Sequence, residues 1–160
     1  MKTKQILNLG LLLSAATLFS PAGFASDVMT FPGTICHASD PSQAAKITRS
    51  VAGAQNSSST GAVTVNCPLV RDNHSNVTGT DVVHVAVYRS ASATSSLQCT
   101  LSSRTSDGGA VAAHTLFFSG TGSSTLHLDV NSSSLGGYYV VSCSLPQFSA
   151  VRSIYLDEPL

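Results

Sequence analysis

Tryptophan is absent from this 160-residue sequence, glutamate occurs once, at Glu158, and charged residues make up only 10% of the chain. A glycosidase needs two carboxylates flanking a cleft. Between residues 41 and 156 the sequence offers only Asp72, Asp81, Asp107 and Asp129 for that purpose. No G-x-S-x-G elbow, H-E-x-x-H helix or C-x-x-C dithiol is present, which removes the usual local signatures of a serine hydrolase, a zinc protease and a thioredoxin-like enzyme. GTGSST at 120–125 has the glycines of a phosphate loop but lies between strand-like segments, with no helix N-terminus behind it. No apolar run after the first twenty residues approaches the length of a membrane span.

The N-terminus has its own pattern. Lys2 and Lys4 precede an apolar stretch from Ile6 to Phe19, and Gly23-Phe24-Ala25 supplies a small-x-small cleavage site. That order is a secretory signal peptide, so residues 1–25 are expected to be removed and 26–160 to form one domain in the periplasm or outside the cell. Eight basic and eight acidic residues balance in the full chain, and loss of the two leader lysines tips the remainder to mildly acidic. A basic surface for nucleic acid is excluded. Hydroxyl side chains, not ions, supply the polar positions.

Hydrophobic period is close to two almost throughout. Val63, Val65 and Cys67 share one face; so do Val83, Val85 and Val87, then Leu97, Cys99 and Leu101, then Leu126, Leu128 and Val130, then Tyr139, Val141, Cys143 and Leu145. Asp107-Gly108-Gly109 and Ser119-Gly120-Thr121-Gly122 read as turns, since Asp and Gly tolerate the backbone angles that tight turns require. Further strands are expected over Ala112 to Phe118 and Val151 to Leu156. Asp40-Pro41 suits a helix start, but Ile47, Thr48 and Val51 favour a strand over that segment. Pro68 should end the strand before it, because it cannot donate to a ladder. The expected fold is all-β: an antiparallel two-sheet sandwich, Ig-like or jelly-roll-like.

Four cysteines in an exported chain form an even set in an oxidising compartment, so two disulfides are expected. Cys99 and Cys143 both sit on inward faces and can meet across the core or between neighbouring strands; Cys36 and Cys67 remain as the second pair. Adjacent Cys36 and His37 point apart on an extended chain and give no close ligand pair for zinc. The five histidines, His37, His74, His84, His114 and His127, include no H-x-H pair. No metal, cofactor or catalytic residue is assigned.

Candidate binding residues are few. Tyr88 and Tyr138 fall on faces opposite the expected core, the latter just after Gly136-Gly137, and an exposed ring suits a sugar face. Arg71 and Asp72 fall in a loop after Pro68, where they would join in a salt bridge or an Asx turn that fixes its exit, or meet a ligand. Asn56, Asn73, Asn76 and Asn131 begin N-x-S/T sequences.

CPLVRD (67–72), CTL (99–101), CSLP (143–146) and YLDE (155–158) together resemble a group of small secreted bacterial β proteins marked by Cys-Pro-Leu-x-Arg-Asp. The resemblance implies a disulfide framework and no particular activity. FPGTIC (31–36) resembles the opening of pilins and related fimbrial subunits, which donate an N-terminal strand to a neighbour; Ser26 to Ile35 alternates poorly for that role. The sequence therefore reads as a secreted or periplasmic non-catalytic binding or structural module, directed at a glycan or at an envelope or extracellular protein. A secreted hydrolase with a Ser- or Asp-based site and a fimbria-like assembly subunit are the alternatives.

Overall fold

The computed structural model describes residues 27–71 and 81–158. The signal-peptide assignment and Asp72, His74, Asn73 and Asn76 lie outside the described residues. Eleven strands are present among the described ones: β1 (Asp27–Pro32), β2 (His37–Ala38), β3 (Ile47–Ser50), β4 (Gly53–Asn56), β5 (Val63–Leu69), β6 (Asp81–Arg89), β7 (Leu97–Arg104), β8 (Ala110–Phe118), β9 (Gly122–Val130), β10 (Tyr138–Leu145) and β11 (Ala150–Glu158). They form two sheets, ordered β3-β4-β11-β6-β9 and β2-β5-β10-β7-β8, with β1 also paired to β11. Every pairing is antiparallel. The fold is the expected β-sandwich.

Period-two alternation sets the core, because a strand turns successive side chains to opposite faces. Along β6, Val83, Val85 and Val87 are fully buried, and Val82, His84, Ala86 and Tyr88 face out. Val65, Leu69, Leu97, Leu101, Val141 and Leu145 meet them from the second sheet. Both disulfides form as expected, Cys36–Cys67 and Cys99–Cys143. Cys99 and Cys143 are directly opposed on β7 and β10, so this bridge links neighbouring strands of one sheet and does not cross the core.

Two local expectations are corrected. Pro41–Lys46 is a 3-10 helix, with Asp40 accepting the Ser42 N–H at 2.9 Å as its cap, and the strand begins only at Ile47. Pro68 does not end β5, which runs to Leu69 opposite Tyr139. Thr64 directs its carbonyl to the Ser39 N–H on the β2 flank, and Pro68, four residues on, turns its nitrogen to the same flank. There β2 has already stopped, at His37 opposite Asn66, so the missing N–H breaks no ladder bond. β1, the segment considered as a donor arm, pairs with the chain's own β11 from Asp27↔Glu158 to Pro32↔Ser153.

Candidate binding face on the six-stranded sheet

Strand β11 lies between β6 on one flank and β4 followed by β1 on the other. Its register with β6 shifts between Val151 and Ser153, which makes Arg152 the extra residue of a bulge. Bulges bend a strand and re-aim a side chain. Two glycines press on this one: a Cβ on Gly53 would stand 2.0 Å from the Val151 carbonyl oxygen, and one on Gly33 would stand 2.2 Å from it. Gly53 also has φ of 111°, a conformation open to glycine. This close approach brings the β3–β4 turn against β11.

The result is a cleft of about 150 Å³ lined by Ser50, Ala52, Gly53, Gln55, Tyr88, Ala150 and Arg152. The Arg152 guanidinium lies over the Tyr88 ring, 5.1 Å from its centroid, a cation–π contact that orders both side chains. Gln55 donates to the Phe148 carbonyl at 3.3 Å, which fixes its amide at the rim. Chemically the cleft offers an aromatic ring edge, a guanidinium fork and an amide beside backbone. None of its lining residues is an Asp, Glu, His or Cys.

The same face continues along the strands. Tyr155 is 39% exposed and is opposed by Thr30 on β1 and His84 on β6, and His84 is opposed by His127 on β9. The two imidazoles meet edge to face with centroids 4.6 Å apart. Among the described residues no group of three or more His, Cys, Asp or Glu side chains could hold a metal ion.

Tyr88 therefore stands on an interior strand of one sheet. Tyr138 stands at the start of β10 in the other sheet, opposite Arg104 and 36% exposed. The two candidate tyrosines do not share a surface. Tyr155, Arg152 and Gln55 were not singled out by the sequence; a tyrosine alternating with Ile154 and Leu156 was the available signal for the first, and nothing local marks a bulge.

Arg71 is not a surface group. It is 1% exposed, donates from Nε to Glu158 at 2.8 Å, and places Nη2 3.6 Å from Asp81. Its guanidinium also lies 5.0 Å from the centroid of Tyr139 and donates to the Ser134 carbonyl at 3.3 Å. Tyr139 in turn donates its hydroxyl to Asp81. Burial, then the Asp81 carboxylate, raise the Tyr139 phenol above its ordinary range. Arg71, expected in a loop, is buried because the first residues of β6 and β10 and the last of β11 converge beside it; its expected partner Asp72 lies outside the described residues. Arg71 is a link between the sheets.

Asn56 is also spent internally: it is fully buried, and its amide donates to the carbonyls of Leu145 at 2.9 Å and Pro146 at 3.2 Å. In the folded protein the side chain of this N-x-S sequence is not at the surface. Arg89 plays a similar part near the other end of β6, with Nε, Nη1 and Nη2 donating to the carbonyls of Ser95, Gly120 and Ala93.

No protein-family model matches the chain, and no characterised protein sequence matches it. Solved structures do. A xylan-binding module, CBM15, superposes with a TM-score of 0.55 at 15% identity, covering 82% of this chain and 96% of the module. An isomalto-dextranase from Arthrobacter globiformis T6 gives a TM-score of 0.45 at 10% identity over 82% of this chain and 23% of the enzyme. An adhesin domain of Lys-gingipain from Porphyromonas gingivalis W83 gives 0.38 at 13% identity, over 82% of this chain and 95% of the domain. The first of these likenesses shows that the β-sandwich fold is shared. The disulfides fit an extracellular or periplasmic setting, and among the described residues no helix is long and apolar enough to cross a membrane.

Proposed function

We propose that this chain is an exported, non-catalytic module that binds a polysaccharide through the outer face of its six-stranded sheet. The observation that carries the reading is the Tyr88–Arg152–Gln55 cleft, an aromatic ring and planar hydrogen-bond donors fixed beside each other by a bulge and two close-packed glycines. Sugars combine apolar C–H faces with hydroxyls, so a ring and a fork of donors address both at once. The xylan-binding module with the same fold makes xylan the first polysaccharide to test, followed by dextran, cellulose and peptidoglycan.

The test is affinity electrophoresis of the oxidised protein in gels containing each polysaccharide, followed by calorimetry. Tyr88→Ala and Arg152→Ala should each weaken binding by about tenfold or more, the scale of one stacking or charge-assisted contact. Tyr138→Ala, on the other sheet, should bind as the parent does. Full binding by Tyr88→Ala would remove the cleft from the reading. Release of new reducing ends during the assay would favour the hydrolase alternative.

A further inference from the structure

The registers across the sheet define three rows of outward side chains. The first runs Thr48–Gln55–Ala150–Tyr88–Ser123, with Arg152 above it. The third runs Thr30–Tyr155–His84–His127. Between them lies Pro32–Ser153–Ala86–Thr125, in which each side chain is small or short. Rings and a guanidinium therefore stand on both sides of a low strip. Tyr88 and His84 are four residues apart on β6, about 13 Å at the usual rise of a strand, which is the width from one wall to the other. The strip crosses β1, β11, β6 and β9, about 14 Å at the usual spacing between strands.

Resting on the binding-module reading above, we infer that the ligand is an internal stretch of a linear polysaccharide, lying across the strands in this trough. One pyranose unit of an extended chain spans about one strand spacing, so several units fit between the two ends. Among the described residues the paired sheet ends at β9 on one side, where β8 of the other sheet passes alongside with His114 accepting the Asp129 N–H at 3.0 Å, and at β1 on the other along the Ser153 to Glu158 part of β11; no further strand of this sheet stands across either end. Ser153, Thr125 and the imidazole nitrogens offer hydroxyl-matching donors and acceptors along the path. Walls on two sides select for chain length and for the absence of bulky branches.

The experiment is calorimetry with linear xylo-, cello- and isomalto-oligosaccharides from the disaccharide to the hexasaccharide, on the oxidised protein and on Ala86→Tyr, Tyr155→Ala and Tyr88→Ala. Ala86 faces outward from a paired strand, so a tyrosine there keeps the fold, checked by circular dichroism, and fills the floor. For at least one series, affinity should rise by about tenfold or more with length and then level off. Ala86→Tyr should lower hexasaccharide binding by a similar factor, and Tyr155→Ala should weaken the hexasaccharide more than the disaccharide. A disaccharide that binds as tightly as the hexasaccharide, or an Ala86→Tyr variant that binds normally while Tyr88→Ala does not, would overturn the trough and leave the cleft in place. If neither the oligosaccharides nor the polysaccharides bind, the trough and the binding-module reading fall together.

Discussion

Replacement of Arg71 by Met tests whether the buried cluster holds the two sheets together. The guanidinium contacts Glu158 from β11 and Asp81 from β6, covers Tyr139 from β10, and is itself carried at the end of β5. Methionine keeps most of the volume but takes the cation away from two buried carboxylates. Breaking a buried pair in this way costs about 3–5 kcal/mol. At roughly 3 °C per kcal/mol for a chain of this size, the melting temperature should fall by about 10–15 °C. Thermal unfolding followed by circular dichroism, with the disulfides intact, reads the change. The paired variant Arg71→Met with Glu158→Met should recover about half of the loss or more, because an apolar pair of similar volume is tolerated where a lone charge is not. A fall of only about 2 °C in the single variant, the scale of an exposed ion pair, would refute the reasoning.

Four further outcomes are expected. The Tyr139 phenol is held above its ordinary value of 10.0 in the folded protein, so the unfolded chain ionises first and stability is full below about pH 10 and lost as pH rises beyond it; Tyr139→Phe should flatten that alkaline decline in melting temperature. Asn56→Ala strips the donor from the Leu145 and Pro146 carbonyls and should cost about 1–3 kcal/mol by chemical denaturation. The disulfides close separations of 31 and 44 residues, and removing either pair as Cys→Ala should cost about 3–4 kcal/mol. Intact-mass analysis after alkylation without reductant should find no modified cysteine in the parent protein.

Much of the sandwich was legible because alternation reports which side of a strand is buried. The inward sets at Val83, Val85, Val87 and at Tyr139, Val141, Cys143, Leu145 came directly from it, as did the pairing of Cys99 with Cys143. Alternation says nothing about which strands are neighbours. Tyr88 and Tyr138 were equivalent in the sequence, yet the order of strands sends them to different sheets. Arg71 and Glu158 are 87 residues apart in the chain, so a local reading considered only Asp72 beside Arg71. The bulge at Arg152 has no signature of its own; it arises where β4 and β1 succeed one another along β11, with Gly33 and Gly53 from distant segments packed on the Val151 carbonyl. The candidate site was thus half visible, as one tyrosine without its neighbours.

The last of the described strands is also the middle of its sheet. Among the described residues, β3–β4 and β6–β9 are joined by pairing only through β11, and β1 pairs with β11 alone. A chain made or threaded from its N-terminus therefore cannot close this sheet progressively. It remains a set of separate pieces until residues 150–158 arrive, and the same short segment then brings Arg152, Tyr155 and Glu158 into place together. Premature loss of that segment would take Arg152 and Tyr155 from the outer face and Glu158 from the Arg71 cluster in one event.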